Sequence, residues 1–228
     1  MEDKRALISL TFDDGWMSQY EYALPILDHY KFKATFYIIT GYLSATHEPY
    51  MNLHHVMTLH RSGHEIGGHS VTHPNLVLTY LWRRKEVLLS KIDLEFAGIK
   101  CDSFAYPYGR QNWYVRKLAL NAGYKNARVI GDESNDIGFN RFLINGYIIK
   151  SDTTIQQVNS WIDHAERRGH WLVLIFHEVS KMPRQYGCTP EFLDSVCGLI
   201  ARKQLVVSPV TKAFEAFSDS GPATVAAR

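Results

Sequence analysis

Two aspartates stand side by side in LISLTFDDGW, where an apolar run ending at Phe12 gives way to Asp13, Asp14 and Gly15. Neighbouring carboxylates at a strand end can divide their work, one coordinating a cation while the other takes a proton. The same residues also make an ordinary strand-ending turn. Further along, His69-Ser-Val-Thr-His73 sets two imidazoles four residues apart, a spacing that on one helical turn brings both within reach of a shared ion. Pro74 disfavours helical backbone at His73, so a loop turn is expected to carry the pair. Taken alone, HxxxH is equally a pair of surface histidines. His177 ends the apolar run WLVLIF. A histidine where a buried strand surfaces is either a satisfied core residue or a general acid or base.

Other frameworks fail on single positions. HEIGGH is no zincin helix, because Gly68 stands where the second histidine would be. No PCxxC follows, which removes the zinc deaminase signature. The chain has no GxSxG elbow, P-loop or GxGxxG, so serine hydrolase, nucleotide triphosphatase and dinucleotide oxidoreductase all lose ground.

These residues need elements to position them. Short apolar or β-branched runs alternate with amphipathic segments along nearly the whole chain, the pattern of βα units around a parallel sheet. Strands are predicted at Ala6 to Phe12, Ala34 to Thr40, Glu65 to Gly68, Ser103 to Tyr106, Ala127 to Ile130, Phe142 to Ile149, Trp171 to Phe176 and Leu205 to Ser208. Helical periodicity fills Ser18 to Tyr30, Met51 to Ser62, Thr79 to Ala97, Asn112 to Ala122, Thr154 to Arg168, Pro190 to Lys203 and Val210 to Phe217. Asp152 or Thr153 is expected to cap the fifth of these, and Gly63, Gly98, Gly123 and Gly169 to close helices. About seven or eight such units predict an α/β fold, a closed barrel slightly smaller than the usual eightfold one, with an open doubly wound sheet as the alternative. In a barrel, chemistry belongs at the C-terminal ends of the strands. Asp13, Asp14, His69, His73, YPYG (Tyr106 to Gly109) and His177 all fall there. His64 and Glu65 are expected to support the site from their strand or its start.

The chain has 228 residues, with 25 basic against 23 acidic side chains and a formal charge of +2. That length suits one domain, expected over residues 1–217 with a flexible tail at 218–228. Scattered charge gives no reason to expect nucleic acid. The longest apolar runs are far short of the roughly 18 to 20 residues of a membrane span. The start, MEDKRALISL, lacks the apolar core and cleavage site of a secretory signal, so the chain as written is expected to be cytoplasmic, and extracytoplasmic if a leader has been removed. Cys101, Cys188 and Cys197 are an odd number without CxxC spacing, read as free, partly buried thiols.

TFDDG (Thr11 to Gly15), HSVTH, YPYG and LIFH (Leu174 to His177), in this order, resemble the motifs of the NodB-type polysaccharide deacetylase family, carbohydrate esterase family 4, over about residues 6 to 210. The resemblance implies a distorted (β/α)7-type barrel and metal-dependent hydrolysis of an N-acetyl group, in some members O-acetyl or N-formyl, usually on an amino sugar. It implies Asp14, His69 and His73 as metal ligands, Asp13 as catalytic base, His177 as catalytic acid and the Tyr108 N–H as an oxyanion donor. Zn2+ is the default ion, with Co2+, Ni2+ or Fe2+ accepted by the same ligands. The partner implied is a carbohydrate bearing N-acetyl groups. Trp16, Tyr20, Tyr42, Tyr106, Tyr108, Trp113 and Tyr114 are candidate faces for sugar rings, about half of them at most. One position departs from the pattern. Ala105 replaces the arginine that many members use to tether the catalytic aspartate, leaving Arg141, which starts a strand, and Arg110, just after the motif, as substitutes between which the sequence does not choose. Asp152 is the candidate for the aspartate that tunes the acid histidine, and the acidic loop Gly131 to Asp136 is read as a solvated turn. Two rivals stand beside a deacetylase: a deformylase or other amidohydrolase, and a catalytically inactive sugar-binding relative.

Overall fold

The computed structural model describes residues 6–44 and 49–219. Among the described residues there are eight strands: β1 (Leu7–Phe12), β2 (Thr35–Ile38), β3 (Glu65–Gly68), β4 (Ser103–Ala105), β5 (Asn126–Arg128), β6 (Tyr147–Ile148), β7 (Trp171–Phe176) and β8 (Val206–Val207). All pair in parallel, in the order β5-β4-β3-β2-β1-β7-β6, with β8 alongside β1. β1 is the hub. Its full length pairs with β7, while on its other edge β8 takes Leu7 and Ile8 and β2 takes Thr11 and Phe12.

The two ends of the path meet irregularly. Val129 and Gly131 donate to the carbonyls of Ile144 and Gly146, and Ile144 donates back to Ala127. The chain over 141–146 thus serves β5 before it reaches β7, which is why the predicted strand Phe142 to Ile149 keeps only two regular residues. The result is the expected distorted (β/α)7-type barrel.

The helices are α1 (Leu24–His29), α2 (Leu53–Arg61), α3 (Arg83–Phe96), α4 (Trp113–Asn121), α5 (Ile155–Arg168), α6 (Pro190–Arg202) and α7 (Val210–Asp219). A π-helical turn over Gln19–Ala23 precedes α1. Thr154 itself caps α5, its hydroxyl accepting from Gln157 N while Gln157 returns a bond to Thr154 N, so neither Asp152 nor Thr153 is the cap. Gly169 ends that helix in left-handed backbone, φ 64°, as predicted. The predicted tail falls outside the described residues from 220 onward, as do residues 1–5 of the start.

Strand alternation sorts the side chains. Phe12 faces the helices and stacks between Phe36 and Phe176, at 4.9 and 5.3 Å. The opposite face carries a fully buried polar chain: Tyr37 Oη bonds Ser103 Oγ, Ser103 donates to Asn126 Oδ1, and Arg128 lies over the Tyr37 ring. At the barrel's foot Glu65 accepts from Thr35 Oγ1 and from Thr211 N, capping α7 with a half-buried carboxylate. His64 sits beside it, its Nδ1 accepting from Ala34 N. Both residues therefore support the foot of the barrel, not the catalytic rim as expected. They open β3, whose other end carries the histidine loop.

Burial pushes the His64 imidazole down to about 4. In the folded protein it stays neutral as the pH falls below 6.5, where the unfolded chain protonates, so stability is full above that value and is lost on acidification towards about 4. The loss should approach about 3 kcal/mol. His64→Asn, which keeps the acceptor for Ala34 N, is expected to flatten the fall; urea unfolding at pH 7 and pH 5 measures it.

Candidate active site

Strand ends bring the sequence-predicted residues together at one rim. Asp13 and Asp14 leave β1, His69 leaves β3, and His177 leaves β7, the direct partner of β1. Asp14 Oδ1 lies 3.5 Å from His69 Nε2 and 3.6 Å from His73 Nε2. One donor atom from each of Asp14, His69 and His73 falls within 4.8 Å of the others, a spacing that suits a shared cation. Asp14 Oδ1 is buried without a hydrogen-bond partner, an orphan acceptor that an ion would satisfy.

Orientation is fixed from behind. His69 Nδ1 bonds the Ala105 carbonyl at 2.7 Å, so this nitrogen carries the proton and Nε2 faces the cluster as acceptor. Trp16 Nε1 donates to Asp14 Oδ2. The His73 loop hangs on buried Glu86, whose carboxylate accepts from Val71 N, Thr72 N and Thr72 Oγ1. Burial pushes His73 down to about 4, which keeps it neutral, with a lone pair to give to an ion. Burial alone would raise the Asp14 carboxyl, but the imidazoles around it, His69 first and then His177 and His73, hold it well below the usual range.

Asp13 is 2% exposed, deeper than Asp14. Arg128 donates to its Oδ2 at 2.5 Å, while Oδ1 has no hydrogen-bond partner. The tethering arginine is therefore Arg128 on β5, not Arg141, which is exposed with its guanidinium over the Phe142 ring. Arg110 lines the cleft but does not hold Asp13. His177 Nε2 lies 3.7 Å from Asp13 Oδ2, and its buried Nδ1 has no partner. Asp152, exposed before α5, does not pair with it. Gln19 Nε2 bridges the Asp13 and His177 carbonyls at 2.5 and 2.9 Å, tying the ends of β1 and β7 from the π-helical turn.

These groups line a cleft of 340 Å³ with Tyr108, Gly109, Arg110, Ile130, Ile148 and Tyr186. Tyr108 is 57% exposed, adopts left-handed backbone at φ 59°, and sets its ring 4.5 Å from His73. Among the described residues six non-glycines have positive φ, and Asp14, Ser70, His73 and Tyr108 are four of them. Backbone strain is thus concentrated at the rim. Of the candidate sugar faces, Tyr106 is fully buried and excluded. Trp16 packs on Tyr50, which also meets Tyr42, beside the Asp14 end of the cleft. Tyr20 packs on His55. The 131–136 loop borders a larger cavity of 510 Å³ against α5, apart from this cluster.

Sequence reasoning missed Arg128, Glu86, Gln19 and Tyr50. Only Arg128 left a signal, a charge inside the apolar strand NARVI.

A parallel barrel that gathers two carboxylates and three imidazoles at its C-terminal rim defines a NodB-type domain. The chain belongs to the polysaccharide deacetylase family, whose profile matches residues 1–127. Among curated proteins it is similar to a gellan lyase of a Bacillus species, 28% identical over 115 residues, which are 47% of this chain and 4% of that protein. It is also similar to "Putative polysaccharide deacetylase YxkH" of Bacillus subtilis, 31% identical over 121 residues, 52% of this chain and 42% of that protein. The matches thus span less than half of those relatives. Among solved structures it resembles the Streptococcus pyogenes deacetylase PplD in complex with acetate, with a TM-score of 0.62 and 25% identity over 68% of this chain and 69% of that one.

Proposed function

We propose that this protein is a metal-dependent hydrolase that removes N-acetyl groups from an N-acetylglucosamine-type sugar or polysaccharide, releasing acetate and the free amine. The catalytic unit is a single domain over residues 1–217. The observation that carries the reading is the pairing of an ion-sized cluster, Asp14, His69 and His73, with a second carboxylate whose one oxygen is pinned by Arg128 and whose other is free. Family membership and the acetate held by the similar streptococcal deacetylase agree with it.

Asp14 and the two Nε2 atoms would hold the ion, with Zn2+ the first expectation from a two-imidazole, one-carboxylate set. When bound, such an ion supplies Lewis acidity towards a carbonyl and acidifies water. The chain's own groups do the rest. Asp13 takes the proton of the attacking water on its free oxygen, and the Arg128 pair fixes the carboxylate for that transfer. Oxygen adds to the acetamide carbon, and the Tyr108 N–H donates to the oxyanion that forms. His177 gives a proton to the nitrogen, the C–N bond breaks, and acetate and amine part. The sugar ring finds an aromatic wall in Trp16, Tyr50 and Tyr108.

The test is acetate release from N-acetylated chito-oligosaccharides, peptidoglycan fragments and UDP-N-acetylglucosamine, using protein stripped by chelator and reloaded with zinc or cobalt. Release restored by metal is expected. Formate release instead would move the chain to the deformylase rival, and silence without bound metal would favour a binding module.

A further inference from the structure

Beside the cleft, the shoulder formed by α3 and α4 has no role in the reaction proposed above. The chain between His73 and α3 carries Leu78, Tyr80, Leu81 and Trp82 outward, and Leu81 is 83% exposed. On α3 itself Leu89, Ile92 and Phe96 follow at intervals of three and four, so they share one helical face. Phe96 is 94% exposed. This apolar stripe covers the second half of α3, about 10 Å at the usual rise per residue, and the exposed residues 78–82 stand before the helix's first turn. Exposed apolar surface of such extent marks a contact with something else.

Charge narrows what that contact is. Residues 74–85 and 106–121 include Arg83, Arg84, Lys85, Arg110, Arg116 and Lys117 and no acid. Leaving out Arg110, which lines the cleft, five cations thus collect around the start of α3 and on α4, while the acids of α3, Glu86, Asp93 and Glu95, lie further along that helix. The two segments form a single surface: the Arg83 guanidinium lies over Tyr80 at 5.0 Å and over Tyr114 at 4.2 Å, and Arg84, Trp113 and Lys117 line one groove of 360 Å³. Trp113 is 67% exposed.

We infer that this α3–α4 shoulder docks on an anionic lipid surface, holding the catalytic rim beside the membrane interface. Aliphatic tips next to exposed tryptophan and tyrosine, flanked by arginine and lysine, match the headgroup-to-acyl boundary in both polarity and sign. A second copy fits less well, since a two-fold contact would set the cations of one shoulder against those of the other. A soluble glycan could stack on Tyr80, Trp82 or Trp113, but it would leave the aliphatic Leu78, Leu81, Leu89 and Ile92 uncovered. No helix among the described residues is long and apolar enough to cross a membrane. The inference goes beyond the hydrolase reading and does not depend on it, because binding is measured without turnover.

Vesicle co-sedimentation of the full chain tests it, with phosphatidylcholine alone and with added phosphatidylglycerol. Binding to the anionic vesicles is expected, weakening as salt rises. Arg84→Gln with Lys85→Gln should reduce it roughly tenfold or more. Leu81→Ser with Trp82→Ser should abolish it, with an unchanged unfolding midpoint showing that the fold is kept. No binding to anionic vesicles, or binding that survives the Leu81/Trp82 pair, would overturn the inference. Variant-sensitive binding to soluble polygalacturonate in place of vesicles would overturn it too and make the shoulder a glycan platform.

Discussion

Asp13→Asn is expected to lower acetate release by roughly 10²–10⁴-fold while metal content stays at the wild-type level. The amide is nearly isosteric with the carboxylate, and the cluster of Asp14, His69 and His73 does not include Asp13, so the donors for the ion are untouched. What the amide lacks is a basic oxygen. It also turns a fully buried ion pair into a stranded cation, because Arg128 is 0% exposed and donates to Asp13 Oδ2. Losing one partner of such a pair costs about 3–5 kcal/mol, so the variant should unfold at lower urea as well as turn over slowly. The two effects separate in a cycle. Arg128→Met alone strands the carboxylate, whereas combining it with Asp13→Asn removes both charges and should recover much of the stability but none of the activity. Metal analysis, urea unfolding and acetate release on the three variants measure this, and an Asp13→Asn protein with unchanged acetate release would refute the base assignment.

The same pair shows where the sequence was legible and where it was not. Asp13, Asp14, His69, His73 and His177 could be placed on one rim because each follows a short apolar run, and in a parallel barrel all strand C-termini open to the same side. The order of elements followed from alternation alone, since β7 is apolar enough to read as a central strand and its six residues are all buried. Arg128 escaped because its partner lies 115 residues away, with β4, β3 and β2 between β5 and β1 in the sheet. Periodicity says that a strand residue points inward but not which strand it faces. Arg141 was the wrong choice for a related reason: the chain from 141 to 146 bonds to β5 through its backbone, which leaves the side chain of Arg141 at the surface, its guanidinium over the ring of buried Phe142. Glu86 and Gln19 act on backbone groups, Glu86 on the amides of Val71 and Thr72, Gln19 on the carbonyls of Asp13 and His177. Such bonds leave no pattern in spacing. His64 and Glu65 were misplaced because their strand was read correctly and its direction was not used, although the start of a parallel strand faces the foot of the barrel.

His69→Ala should remove the ion and with it the stabilisation that the ion confers. A ligand bound only by the folded state stabilises by about 2.7 kcal/mol at one hundred times its dissociation constant, so zinc should raise the unfolding midpoint of the metal-stripped wild type. His69 is the central donor of the cluster, its ring 4.8 Å from that of His73 and its Nε2 3.5 Å from Asp14, and it is nearly fully buried with its tautomer set by the Ala105 carbonyl. A residue that only orients a ligand typically costs 10–100-fold in affinity when lost, and removal of the ligand itself should cost at least about a hundredfold. The alanine variant should therefore show no zinc-dependent shift, negligible metal after dialysis, and acetate release at background. It should also be less stable than the stripped wild type by about 1–3 kcal/mol, because the Ala105 carbonyl loses its donor in a buried position. That second loss is independent of zinc, so the two contributions of His69 are read from one pair of unfolding curves. If the variant keeps full metal occupancy and the wild-type zinc shift, His69 is not a ligand, and the ion is held elsewhere at the rim.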